Sequence, residues 1–284
     1  MHNPVEFEMR GEVALITVDN PPVNALSQPV RAGLLAAFCE LGASAARAAV
    51  LMCRGRTFFA GADISEFGKP PADPWLPEVL AAIESSEVPV IAAIHGTALG
   101  GGLETAMACH YRLAAATAKL GLPEVSLGLL PGAGGTQWAP RLMGIERALE
   151  LMVGGKPIAA SEALESGLLD RMADGELESD AMAWARDMIR GQVVPRRTSE
   201  LPVDAAQVPA GFFDETRAVV AAKTRGLPAP QAIVDCVKAA AERPPNEAAE
   251  FERHRFMELM MSPESAGLRH LFFAERQASK VDDL

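Results

Sequence analysis

The sequence predicts an α/β fold with strands covered on both faces, followed by an all-helical C-terminal region. Three features carry this expectation. Up to about residue 94, short apolar runs of strand length alternate with helical stretches. Gly- and Pro-rich turns separate those units, at Asn20-Pro21-Pro22, Gly61-Ala62-Asp63 and around Gly68-Lys69-Pro70-Pro71. Beyond about residue 190 no strand pattern returns, and apolar residues recur at helical spacing instead.

The elements follow in order. Residues 13–18 are a β-rich run, and a helix is expected near 29–41. The runs at 48–52 and 88–94 are continuously apolar, the pattern of strands buried on both sides, as in parallel sheets with helices on each face. Residues 159–165 and 178–189 carry apolar side chains at three- and four-residue spacing and read as helices. The stretch 193–211 loses periodicity, is rich in Pro, Arg and Ser, and reads as an irregular connection. Helices are then expected at 214–223, 232–242, 247–261 and from 264 to about 280. The chain therefore divides into an α/β core over 1–190 and a helical region over 191–284, without internal repeats.

With 284 residues, 49% of them hydrophobic and 22% charged, the chain can bury a substantial core, which excludes disordered and fibrous classes. A formal net charge of −11 argues against a protein that coats nucleic acid or anionic lipid, since both require a basic surface. A small polyanionic ligand remains compatible through a local basic patch. The first residues show no basic start followed by an apolar run, and no apolar stretch approaches the ~20 residues needed to span a bilayer. Cys39, Cys53, Cys109 and Cys236 are scattered and make no metal-ligand spacing, which fits reduced thiols in the cytoplasm and no metal site.

The chemistry concentrates in two glycine clusters. Gly100-Gly101-Gly102 follows the strand ending at Ile94 and opens a helix, so that backbone amides with no side chains in the way can approach a ligand oxygen. The helix dipole adds partial positive charge there, which suits an oxygen that becomes negative during reaction. Glu104 stands about one turn into that helix and is its one charge between Gly100 and Cys109. Burial of a carboxylate in such surroundings raises its pKa into a range useful for proton transfer. Glu124 lies in an equally apolar setting, just before Gly128-Leu129-Leu130-Pro131-Gly132-Ala133-Gly134-Gly135-Thr136. Either glutamate alone also reads as a surface carboxylate, but together they can divide general-acid and general-base work on one water. Small residues from Ala60 to Ala62 expose further amides, and Asp63 reads primarily as a helix cap. His95 and His110 read as structural residues at element ends. The glycine clusters fail the dinucleotide and phosphate-loop patterns.

At these residues the sequence resembles the crotonase, or enoyl-CoA hydratase/isomerase, superfamily. The matching blocks are Ala60-Gly61-Ala62-Asp63-Ile64, Gly96 to Glu104, Leu122-Pro123-Glu124 and Leu129 to Gln137. His95 to Glu104, Cys109-His110-Tyr111-Arg112 and Phe272-Phe273-Ala274-Glu275-Arg276 resemble, more closely, the hydratase half of the bifunctional fatty-acid oxidation enzymes. The resemblance implies a crotonase-type spiral of ββα units that binds an acyl-CoA thioester with its carbonyl oxygen between the amides of Ala62 and Gly101. It gives Glu104 the activation of water at C3 and Glu124 the delivery of a proton to C2. It places Arg56, Ala60, Asp63, Ile64 and Gly100 along the substrate, Arg56 near the CoA phosphates. It implies no cofactor apart from the CoA of the substrate, and either a trimer or pair of trimers, as in simple crotonases, or a monomer, as in the bifunctional enzymes. The expected activity is 2-enoyl-CoA hydration. The alternatives are 3-enoyl to 2-enoyl isomerisation, another reaction on the thioester such as hydrolysis, or acyl-CoA binding without turnover. Two departures stand out: Trp138 occupies a position that is usually Arg or Lys, and the sequence ends where the bifunctional enzymes continue into a dehydrogenase, so it reads as a free-standing hydratase or a fragment.

Overall fold

The computed structural model describes residues 3–66 and 72–278. The expected loop around Gly68 to Pro71 and the end of the last helix near Lys280 lie outside the described residues. The strands are β1 Val5–Arg10, β2 Val13–Val18, β3 Ala48–Cys53, β4 Val90–Ile94, β5 Thr97–Leu99, β6 Tyr111–Ala114, β7 Lys119–Gly121, β8 Ile158–Ala159 and β9 Arg171–Met172. The helices of the first part are α1 Gln28–Ala43, α2 Leu76–Glu84, α3 Gly101–Ala108, α4 Gly135–Met143, α5 Ile145–Gly154, α6 Ala160–Ser166 and α7 Leu177–Arg190. Four more complete the chain: α8 Phe212–Lys223, α9 Pro228–Glu242, α10 Pro245–Met260 and α11 Pro263–Ala278.

The larger sheet has the order β1-β2-β3-β4-β6-β9. The β1–β2 pair is antiparallel and every later pair is parallel. The continuous apolar runs are buried on both faces because alternate residues point opposite ways. Ala49, Leu51, Ala92 and Ile94 enter the main core, while Ala48, Val50, Ile91 and Ala93 pack with Ala181, Met182, Ala185 and Met188 of α7. The expected α/β class and helical C-terminal part are therefore present.

A second, smaller sheet, β5-β7-β8, forms an inner layer. Each central strand of the large sheet is followed, after a short turn, by a segment in this layer: β4 by β5, β6 by β7, and β3 by residues 59–62. An isolated parallel bridge joins Leu26 to Ala62, Leu99 N donates to Phe59 O at 3.0 Å, and Gly100 N donates to Gly121 O at 2.9 Å. These bonds lay the ends of successive ββα units side by side, which is the spiral the resemblance implies. Helices α9 and α10 close over α4, and α11 packs on the turn at Glu124–Leu127. No helix among the described residues is long and apolar enough to cross a membrane.

Candidate active site

The inner layer decides which residues meet. Ala62, Gly100 and the chain leading to Glu124 are each the outlet of one unit, so residues far apart in sequence become neighbours. A Cβ placed on Gly101 would lie 3.4 Å from Ala62 N, 2.9 Å from Leu76 Cδ2 and 3.3 Å from Leu26 Cδ1. Gly101 and the Ala62 amide are thus brought together beside the apolar side chains of Leu26 and Leu76. Among the described residues, neither Ala62 N nor Gly101 N donates a hydrogen bond within the protein. Gly102 has no room for a side chain either, because its Cβ would overlap Phe59 O. Gly100 adopts φ 54° and ψ −127°, a conformation open to glycine and strained for other residues.

Glu104 stands in the first turn of α3 and is 3% exposed. Its Oε1 accepts hydrogen bonds from Ala133 N at 2.8 Å and Gly135 N at 2.9 Å. Burial pushes its pKa up to about 7, while the two amide donors hold it down. Glu124 opens the 3-10 turn Glu124–Leu127, and a Cβ on Gly100 would sit 2.8 Å from its Oε1. Its Oε2 is buried without a hydrogen-bond partner among the described residues. Burial first, and then the charge of Glu104, raise the Glu124 pKa well above the ordinary carboxylate range. Like charges in one dry site do not both ionise readily, so a single proton shared by the pair belongs on Glu124. The arrangement therefore treats the two carboxyls unequally, with two amide donors on Glu104 and none on Glu124 Oε2 among the described residues, which is the asymmetry that a base and an acid require.

Of the other residues expected at the site, Ala60, Asp63 and Ile64 are half-buried in the same loop as Ala62. Arg56 stands apart, exposed in the turn after β3, and no hydrogen bond or ion pair holds its guanidinium among the described residues. Neither histidine joins the glutamates. His110 is buried, accepts from Val90 N at Nδ1 and places Nε2 3.1 Å from Glu84 O, and burial pushes its pKa down to about 4. His95 faces Gly55 O.

The sequence reading missed a third buried carboxylate, Glu252 of α10, which is 3% exposed. Gly134 N donates to its Oε1 at 2.8 Å, and Thr136 N and Oγ1 donate to its Oε2 at 3.0 and 2.5 Å. Burial and the charge of Glu104 raise its pKa to about 8 against these donors. The signal in the sequence was a carboxylate on an apolar stripe, four residues after Ala248, four before Phe256 and seven before Leu259. Trp138 lies over the same loop, its ring 2.9 Å from where a Cβ on Gly134 would be. The departure at position 138 thus puts a buried ring where a basic side chain was expected.

Residues 8–200 match the model of a family described as enoyl-CoA hydratase/isomerase. The chain belongs to this family. Curated relatives match it along nearly its whole length. The peroxisomal bifunctional enzyme of Danio rerio is 42% identical over 274 residues, covering 96% of this chain and 38% of the relative. The chain thus spans well under half the length of that curated relative. A probable enoyl-CoA hydratase of Bacillus subtilis is 46% identical over 185 residues, covering 62% of this chain and 71% of the relative. Among solved structures, Pseudomonas aeruginosa DspI is 30% identical with a TM-score of 0.62, covering 92% of this chain and 96% of that one.

Proposed function

We propose that this family member hydrates 2-enoyl-CoA thioesters, with Glu104 as general base and Glu124 as general acid. The observation that carries the reading is the asymmetry of the pair. Two amides oppose the burial of Glu104 and favour its carboxylate form, while Glu124 has a buried oxygen without a hydrogen-bond partner among the described residues. In this scheme the thioester oxygen lies between Ala62 N and Gly101 N. Glu104 takes a proton from water as the water oxygen bonds to C3. The electron pair of the double bond moves toward C2 and the thioester oxygen, and Glu124 gives its proton to C2. Water has then been added, the proton has passed from Glu124 to Glu104, and its return resets the pair. Donors already fixed at the thioester oxygen favour the transition state more than the ground state, because the negative charge grows there during addition. Nothing is oxidised or reduced, so the scheme requires no redox cofactor. Ala60, Asp63, Ile64 and Gly100 would line the acyl-CoA, and the exposed guanidinium of Arg56 would meet the CoA phosphates. We read the C-terminal region 191–284, as far as residue 278 where it is described, as the helical cover of this site.

The test is Glu104→Gln, assayed on 2-enoyl-CoA and 3-enoyl-CoA. The glutamine amide oxygen can still accept from Ala133 N and Gly135 N, so the substitution removes the base and keeps the loop. Loss of a general base costs about 10²- to 10⁴-fold. Hydration should fall by that factor, and isomerisation, which leans on Glu124, should fall less. A variant that hydrates at the wild-type rate refutes the assignment.

A further inference from the structure

We propose that Glu252 is a positioning residue for hydration, acting from α10 through the loop 133–136 to fix the general base. The proposal rests on the reading of Glu104 given above. Four consecutive amides of this loop go alternately to two carboxylates. Ala133 N and Gly135 N point to Glu104, whereas Gly134 N and Thr136 N point to Glu252. The alternation is made by Gly134, whose φ of 109° turns successive N–H groups to opposite sides at the start of α4. The helix N-terminus that stabilises negative charge is therefore shared by both carboxylates, one from each side.

The loop cannot rearrange on one side without doing so on the other. Loss of the Glu252 carboxylate would leave Gly134 N, Thr136 N and the Thr136 hydroxyl buried without their acceptor, and they would move to find another. Ala133 N and Gly135 N are joined to them through single peptide units and would move as well, taking Glu104 out of line. Glutamine is a poor replacement at this position. Three donors face the side chain, and Thr136 Oγ1 already accepts from Gln137 Nε2 at 2.9 Å, so a glutamine NH2 group would confront donors. The charged and titratable groups that act on Glu252 are Glu104 on α3, Glu124 on its 3-10 turn, Arg141 on α4 and Cys236 on α9. One turn further along α10, the Phe256 ring occupies the space beside Gly132, so the same helix face presses on the loop twice. Helix α11 does the same for the acid: Ser265 Oγ donates to Leu127 O at 2.8 Å, at the end of the turn that carries Glu124.

The experiment is a double-mutant cycle on the full chain, with Glu252→Gln made in the wild-type and Glu104→Gln backgrounds and each variant assayed for hydration. In the wild-type background kcat should fall about tenfold or more, with KM for the enoyl-CoA within about twofold, as for a misplaced group that does not touch the substrate. In the Glu104→Gln background, the residual kcat should fall by less than about twofold, because the group being positioned has gone. Equal losses in both backgrounds, or no loss in the first, overturn the proposal. If Glu252→Gln does not fold, Glu252→Asp is read in the same two backgrounds by the same criteria, since its shorter side chain retains the carboxyl group and withdraws the acceptor. Wild-type hydration by Glu104→Gln alone is a separate result, and it removes the general base together with any residue that positions it.

Discussion

Replacement of Gly100 by alanine tests whether Glu124 is held where hydration needs it. The added Cβ would lie 2.8 Å from Glu124 Oε1, and the backbone would have to keep φ 54° and ψ −127° with a side chain attached. Strain of that kind costs about 1–3 kcal/mol, which a denaturant titration reads directly. Carbon and oxygen approach without strain at about 3.3 Å or more, so the carboxyl must retreat by roughly half an ångström. Misplacement by 1 Å can cost about 10²-fold, so kcat for hydration should fall between about tenfold and 100-fold, or about 1.4–2.7 kcal/mol of barrier. Gly154→Ala is the control. It sits in the last turn of α5, with nothing within 4 Å of the new Cβ and no positive φ. That change should leave the hydration rate alone and add up to about 1 kcal/mol of stability. A folded Gly100→Ala enzyme that hydrates within about twofold of wild type would refute the placement of the acid.

The pH profile and the tryptophan supply two further tests. Glu104 takes up its proton as the pH falls through about 7, so the base form and kcat/KM should drop about tenfold per unit below that point. Because this limb belongs to Glu104, it should vanish in Glu104→Gln; a flat wild-type profile between about pH 5 and 8 would contradict the assignment. Trp138→Ala removes the ring that packs on Gly134 and should cost about 3–5 kcal/mol in a denaturation experiment, with a lower kcat as the loop at 133–136 loosens. A cost under about 1 kcal/mol would show that this ring does not support the loop.

The longer elements were legible because their signals are local. The strands at 13–18 and 48–52 and the helices at 178–189, 214–223, 232–242 and 247–261 all have structural counterparts within a few residues. The inner layer was not legible. Strands β5 and β7 have three residues each and β8 two, too short for a period-two pattern to register. Helix α2 and the pair α4 and α5 also went unnamed. Glycine and proline crowd the chain just before α4 and a proline lies inside it, so propensity argues against the helix that packing makes.

What the sequence determined by itself was chemistry carried in short segments: small residues from Ala60 to Ala62, a glycine-led helix with one carboxylate, and a second carboxylate before a glycine cluster. Each of these needs only its immediate neighbours to be recognised. Tertiary structure alone decided how differently the two glutamates are surrounded, because desolvation and amide donors come from elements distant in the chain, with Ala133 and Gly135 reaching back to Glu104. It also decided the place of Glu252. That residue meets Gly134 across 118 positions of sequence, and a contact of that range leaves its own helix only one mark, a charge on an apolar face.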